Sequence, residues 1–169
     1  IESENITAAW LSPTMLSLVV RMDRTDKTVP SLFRRLFVGT GAMTADDARA
    51  FCETYGVSPI QSYGLSELLY VSVDYSDNPN FGTVGYPLSG IELSTSADEP
   101  LAIRSPHAFL GYVIDGKLQR HDRWFLTSDF AEASAEGTLS ILGRSDDMIL
   151  RGGVNTNPVE LEEALARFL

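Results

Sequence analysis

The sequence predicts an α/β segment followed by a small antiparallel β-barrel, with the start of a further helical element at the end. Three observations carry this. Up to Asp74, apolar strand-like runs alternate with helices whose caps are visible in the sequence. Beyond Asp74 the texture changes to short strand-like pieces separated by turns. After Asn157-Pro158 the pattern becomes helical again.

Taken in order, Ser12 is placed to cap a helix with Pro13 at its first position, where the missing N–H is no loss. Met15, Leu16, Leu18, Val19, Val20 and Met22 follow densely enough to predict a mostly buried helix ending near Asp23. Residues 32–38 run toward an apolar strand, broken by Gly39-Thr40-Gly41-Ala42. Thr44 caps a second helix, with Asp46 and Asp47 in its first turn complementing the helix dipole. Ala48, Phe51, Cys52 and Tyr55 give that helix an apolar face, and Gly56 closes it. A short apolar run at 57–60 comes next.

Asp77-Asn78-Pro79-Asn80 is a turn cluster. After it come strand-like pieces at 91–95, 101–105, 109–113, 117–120, 124–127 and 138–142. Several alternate apolar with polar residues, as in Leu101-Ala102-Ile103-Arg104, with the spacing of a small antiparallel sheet or barrel. Met148-Ile149-Leu150 is one more candidate strand. The final helix has Asn157 as cap, Pro158 next, Glu160, Glu162 and Glu163 early and Arg167 late, the order a helix dipole prefers. No internal repeat or low-complexity segment is present.

The chain has 169 residues, enough for one medium domain or two small ones, and at 44% hydrophobic it can bury a core. A net charge of −10 argues against a nucleic-acid groove or an anionic membrane surface. Arg34-Arg35 is the only basic doublet, too small for such a patch. Cys52 stands alone, which rules out an intrachain disulfide and suits a reducing, cytoplasmic setting. No apolar run is long enough to span a bilayer, and no signal-peptide pattern is present. The chain opens on Ile1 rather than Met, the expectation being a piece of a longer protein.

The most informative stretch is Gln61-Ser62-Tyr63-Gly64-Leu65-Ser66-Glu67. Gly64 permits close backbone approach to a ligand. The Ser66 hydroxyl can reach a phosphate oxygen, and the Glu67 carboxylate can hold a hard cation such as Mg2+. The purely structural alternative is a strand, a turn and a helix capped by Ser66. A second cluster lies in Arg123-Trp124-Phe125-Leu126-Thr127-Ser128-Asp129 and in Ile141-Leu142-Gly143-Arg144-Ser145-Asp146-Asp147. A carboxylate such as Asp129 accepts both hydroxyl protons of a ribose, and an arginine donates to the same hydroxyls. The alternative there is a pair of barrel turns with a surface salt bridge.

Other chemistries fail on spacing. Gly39-Thr40-Gly41 lacks the third glycine of a dinucleotide fingerprint. Gly64-Leu65-Ser66-Glu67-Leu68 has Glu67 where a nucleophile elbow needs its second glycine. His107 and His121 lie in separate turn regions, without metal-ligand spacing to each other or to Cys52.

The order and spacing of five stretches resemble the adenylate-forming superfamily of acyl-CoA synthetases, peptide-synthetase adenylation domains and luciferases. They are Phe37-Val38-Gly39-Thr40-Gly41-Ala42-Met43; Tyr63-Gly64-Leu65-Ser66-Glu67; Gly82-Thr83-Val84-Gly85-Tyr86-Pro87-Leu88; Trp124-Phe125-Leu126-Thr127-Ser128-Asp129; and Gly143-Arg144-Ser145-Asp146-Asp147-Met148-Ile149, continued by Gly152-Gly153-Val154-Asn155 and Pro158-Val159-Glu160. The resemblance spans residues 37–162.

The resemblance implies a partial adenylate-forming fold: residues 1–78 the end of the large α/β subdomain, 79–142 the barrel subdomain, 143–151 the hinge and 152–169 the start of the small C-terminal domain. It implies ATP or AMP and Mg2+ as cofactors, with a carboxylic acid and coenzyme A as co-substrates. Tyr63 would lie against the adenine, while Gly41 and Ala42 line the adenine and acyl sites. Gly64 and Ser66 would approach the AMP phosphate and Glu67 hold Mg2+. Asp129 would bind the ribose, with Arg144 assisting, Ile141 packing nearby and Asp146 as the pivot between half-reactions. The phosphate loop and the adenylation lysine of the family fall outside this sequence, so the chain by itself is expected to be inactive.

Three places depart from the pattern; at one of them Leu150 and Arg151 stand where several relatives carry lysine or serine. Ser66 replaces threonine and keeps the hydroxyl. Ser128 replaces the glycine before Asp129, which is strained if that turn needs a positive φ. Leu65, where peptide-synthetase domains carry proline, favours an acyl- or aryl-CoA synthetase over that alternative. A non-catalytic nucleotide-binding or scaffold relative is the alternative from another class, resting on Ser128 and Leu150. The sequence leaves the acid and the oligomeric state open.

Overall fold

The computed structural model describes residues 5–22, 32–76, 79–96, 99–121, 123–147, 149–151, 154–156, 158, 161, 164 and 165. The expected helix end at Asp23, the Asp77-Asn78 part of the turn cluster, Met148, Gly152-Gly153, Asn157, Val159, Glu160, Glu162, Glu163 and Arg167 lie outside them. The chain divides into two compact units, Ile1–Leu88 and Ser89–Leu169.

The first unit is β1 (Ala8–Leu11), α1 (Pro13–Arg21), β2 (Arg35–Val38), α2 (Ala45–Tyr55), β3 (Pro59–Leu65), β4 (Leu69–Val73) and β5 (Tyr86–Pro87). They form one sheet in chain order. The β1–β2 and β2–β3 pairs are parallel, each joined through a helix, and β4 and β5 add antiparallel. The helix signals are realised as side-chain caps. Ser12 Oγ accepts from the Met15 N–H at 3.2 Å, and Thr44 Oγ1 from the Asp47 N–H at 3.1 Å. Gly56 ends α2 in the left-handed conformation at φ 66°, its N–H donating to the Cys52 carbonyl.

Both helices pack on one face of this sheet, where Leu16, Leu36, Val38, Met43, Ala48 and Phe51 form the core. The expectation of a mostly buried first helix is corrected. Only Leu16 of α1 is fully buried, while Met15 and Leu18 are exposed. Apolar density does not bury a helix that has a sheet and a neighbour on one side only. On β2 the alternate side chain, Phe37, points to the opposite face, where Trp10 stacks on it with centroids 5.8 Å apart. Gly39 makes room for that indole, since a Cβ there would stand 2.6 Å from the Trp10 ring.

Beyond β4 the chain is fastened by Asp74, a buried carboxylate that accepts from Ser76 N, Ser76 Oγ and Asn80 N. Gly85, at φ 79°, then lets the backbone lie against the end of β4; a Cβ there would meet Val73 C and Asp74 N at 2.3 Å.

The second unit is β6 (Glu92–Ser94), β7 (Ala102–Arg104), β8 (Gly111–Ile114), β9 (Lys117–Arg120), β10 (Phe125–Leu126), β11 (Asp129–Ala133), β12 (Leu139–Arg144), β13 (Ile149–Arg151) and β14 (Val154–Thr156). Every pairing is antiparallel. Among the described residues these strands form one three-stranded sheet, β10-β7-β6, and three two-stranded ones, without closing a barrel. Leu101, Ile103, Ala131 and Leu139 are its buried apolar residues. The β8–β9 hairpin turns through Asp115 and Gly116, both at positive φ (50° and 72°), a pairing that matches strand twist. Of the last helix, Pro158, Leu161, Ala164 and Leu165 are described and helical. No helix among the described residues is long and apolar enough to cross a membrane.

Candidate functional site

In the first unit the site residues cluster by topology. β2 and β3 are parallel neighbours, so their carboxyl ends share one edge of the sheet, the edge at which open α/β sheets bind ligands. Gly41 and Ala42 follow the end of β2 and are exposed. Thr40 before them sits at φ 73°, a conformation unfavourable for a β-branched residue and of the kind found at functional turns. Around Gly41 a Cβ would meet only Pro13, at 3.6 Å, so that edge is open.

β3 runs straight through the informative stretch. Tyr63 and Gly64 are strand residues, Ser66-Glu67-Leu68 form a tight turn, and β4 returns from Leu69. The helix capped by Ser66 is therefore not formed; the segment is a β-hairpin. Leu68 N–H donates back to Leu65 O at 3.1 Å, and the buried Leu68 side chain anchors the turn. Ser66 is exposed at the tip with Glu67, half-buried, beside it. A Cβ on Gly64 would stand 2.3 Å from the Leu69 carbonyl oxygen, so closure of the hairpin itself requires this glycine.

In the second unit Asp129 and Arg144 face each other directly across the β11–β12 pair. The register slips between Phe130 and Ala131, so Ala131 pairs with Ile141 and Leu142 is left over. This bulge brings Ile141 and Arg144, three residues apart, to the same face as Asp129; a regular strand would have opposed them. Asp129 is buried at 4% exposure, and its Oδ1 lies 3.7 Å from Arg144 Nη1. Arg144 is held from the other side by Asp146, whose two oxygens accept from Nε and Nη2 at 2.9 and 2.8 Å. This two-point hydrogen bond, with the Asp129 charge beside it, pushes the Arg144 guanidinium above its ordinary range. The same bond holds the Asp146 carboxyl below the usual carboxylate range, so the clasp persists as pH falls toward that range.

Sequence reasoning assigned nothing to Thr127, yet it builds this corner. Its buried hydroxyl donates to the Leu101 carbonyl at 2.8 Å and accepts from the Asp129 N–H at 3.0 Å. Ser128 is absent from the positive-φ positions, so serine suits the turn without strain, and its carbonyl accepts from Ser145 N at 2.7 Å. The fixed spacing of Thr127 from Asp129 was the available signal. Thr127→Val is expected to destabilise the chain by about 1–3 kcal/mol, the cost of leaving buried groups unpaired. Urea unfolding checks this; an unchanged midpoint would mean the hydroxyl is dispensable.

Mg2+ is bound through one or two carboxylates together with substrate phosphates. No three His, Cys, Asp or Glu side chains converge among the described residues, and Glu67 follows Ser66 in the turn, with Ser66 exposed and Glu67 half-buried. That donor set fits such a shared ion.

Residues 1–113 match the family described as AMP-binding enzyme. The fatty acid–[acyl-carrier-protein] ligase MmaC of Mycobacterium marinum is 34% identical, over 96% of this chain and 36% of its own length. A 2-succinylbenzoate–CoA ligase of Enterococcus faecalis is 28% identical, over 79% of this chain and 30% of its own. Among solved structures, the anthranilate CoA ligase AuaEII in complex with anthranoyl-AMP superposes with a TM-score of 0.82 at 26% identity, over 96% of this chain and 34% of that one. The chain thus spans about a third of the length of the relatives it matches. With its strand-end turns, its facing Asp129–Arg144 pair and these likenesses together, this chain belongs to the AMP-binding enzyme family, and its fold is part of the adenylate-forming fold.

Proposed function

We propose that this chain is part of a cytoplasmic, AMP-forming acid–thiol ligase. The carboxylate of an organic acid attacks the α-phosphate of ATP, giving an acyl adenylate and pyrophosphate. A thiol, that of coenzyme A, then takes the acyl group and AMP leaves. The observation that carries the reading is the buried Asp129 carboxylate facing Arg144, an acceptor and a donor for the two ribose hydroxyls.

Each residue has a role in this scheme. Tyr63 supports the adenine, Gly41 and Ala42 admit the nucleotide and acid at the strand end, and Ser66 donates to the phosphate. Glu67 holds Mg2+, which neutralises phosphate charge when bound. Ile141 packs on the face that Asp129 and Arg144 share. Residues 143–151 form the hinge between a barrel subdomain at 79–142 and a C-terminal domain beginning at 152, with Asp146 as pivot. The chain alone holds too few of the positioning groups to adenylate an acid.

Asp129→Ala in the full-length protein is expected to raise the ATP requirement roughly ten- to a hundredfold, from loss of a charged hydrogen-bond acceptor worth about 1.5–3 kcal/mol. Acid-dependent pyrophosphate exchange measures it. An unchanged ATP dependence would remove the ribose assignment, and exchange with no acid at all would remove the ligase reading. A second reading changes only the acceptor: the relative at 34% identity is an acyl-carrier-protein ligase, which favours the thiol of a carrier protein. Comparing coenzyme A with a thiol-bearing carrier protein as acceptor separates the two.

A further inference from the structure

We propose that Arg104, His121 and Arg123 form a second anion site in the Ser89–Leu169 unit, for a ligand carrying a phosphomonoester. These residues, with Gly90, Glu92 and Pro106, line a cleft of about 490 Å3. The cleft is not the ribose corner. On the β7–β10 ladder Phe125 pairs with Ile103 and Leu126 with Ala102, and Thr127 N–H then donates to Leu101 O. Asp129 therefore follows one end of that ladder, while Arg104 and Arg123 stand at the other.

The charge is out of keeping with the rest of the chain. In a protein of net charge −10, two guanidinium groups and an imidazole share one cleft with Glu92 as the one carboxylate among its described lining residues. That carboxylate, Glu92, is already engaged by Arg104 in an ion pair. Arg104 is further steadied against the Trp124 ring, 5.7 Å from its centroid. Arg123 has no ion pair with another described residue. The His121 ring lies stacked on Phe109 at 5.0 Å and 13°, so its orientation is set by packing. Its Nδ1 is buried and has no hydrogen-bond partner among the described residues, a condition that buried nitrogens rarely sustain.

A phosphoryl group supplies what these donors lack. Its three non-coplanar oxygens can meet two guanidinium forks together beside the imidazole that lines the cleft, whereas a carboxylate offers two oxygens in one plane. The cleft is larger than a lone phosphate and open to solvent, so the body that carries the phosphate can extend out of it. Gly90, at φ 83°, keeps its wall low, since a Cβ there would already stand 3.3 Å from Pro106 Cγ.

The site stands independently of the ligase reading, and its test needs no enzymatic activity. The chain has only two histidines, so imidazole NMR signals report His121 with His107 as internal control. Titrating the chain with inorganic phosphate is expected to shift His121 saturably and further than His107, which follows the lining residue Pro106. Arg123→Gln should weaken that response roughly tenfold or more, the effect of losing a charge-assisted hydrogen bond, and Arg123→Lys should restore part of it. Unchanged His107 and backbone signals would show that the variants remain folded. Coenzyme A and dephospho-coenzyme A, which differ by one phosphomonoester, identify the source. Tighter binding of the former marks a nucleotide-borne phosphate, and equal binding alongside a phosphate response marks a free phosphate. A His121 signal that does not move, equal responses in wild type and Arg123→Gln, or acetate binding as well as phosphate would each overturn the proposal.

Discussion

Asp146→Pro in the full-length protein is expected to preserve acyl-adenylate formation and to reduce transfer to the thiol on the order of a hundredfold, the loss that a small misplacement of reacting groups produces. Proline fixes φ near −65° and pushes the preceding residue toward extended backbone. A pivot so restricted stays in one domain arrangement. The backbone hydrogen bonds at this corner are donated by Ser145 N–H to Ser128 O and by Asp147 N–H to Arg144 O, so the ring removes neither donor. The substitution also removes the carboxylate that grips Arg144 at two points. Asp146→Ala removes the same grip and leaves the backbone free, so it separates the two effects. Single-turnover measurement of each step decides. Transfer lost only in the proline variant identifies the pivot; transfer lost equally in both assigns the effect to the ion pair. No loss in either step places the pivot elsewhere.

Gly85→Ala is expected to destabilise the first unit by about 2–5 kcal/mol. Left-handed backbone costs a residue with a Cβ roughly 1–2 kcal/mol, and overpacking adds roughly 1–3 kcal/mol more. The obstacle at Gly85 is backbone, Val73 C and Asp74 N at 2.3 Å, which cannot rotate away as a side chain would. Relief would require β5 to leave β4 or the Asp74 corner to open, and Asp74 is tied by three donors. Gly137→Ala is the control: its φ is 89°, but nothing lies within 4 Å of the added methyl. Urea unfolding of the two variants should show a much larger loss at Gly85. Equal losses would mean that conformation alone, and not crowding, sets the cost.

The parts of the fold that rest on local chemistry were legible in the sequence. Ser12, Thr44 and Gly56 each mark a helix end because the capping group and the group it satisfies are close in sequence. Strands that depend on a distant partner were not. Ala8–Leu11 is four residues without alternation, and Asp129–Ala133 reads Asp-Phe-Ala-Glu-Ala, a composition equally at home in a helix. Leu69–Val73 was not read as a strand, since a helix capped by Ser66 stood as one alternative for this stretch, though Leu-Tyr-Val-Ser-Val alternates visibly once the hairpin is known. Within the candidate site, the identities of Asp129, Arg144 and Ile141 could be read, but their shared face could not. It depends on a bulge, and a bulge is a property of two strands together. The two-point grip of Asp146 on Arg144 likewise exists only in three dimensions.

The β3–β4 hairpin has a consequence for how this segment can vary. Leu65 pairs with Leu69 across a turn of three residues, and Tyr63 with Ser72 beyond a register shift. Strand faces alternate with every residue, so gaining or losing one position within the turn would carry the partner strand to its opposite face. Val71 and Leu68, now buried, would be driven outward. Side chains at the tip can be exchanged one for another, as serine for threonine at position 66, without disturbing that count. Diversity in this segment is therefore confined to substitution, and its length is fixed by the sheet behind it.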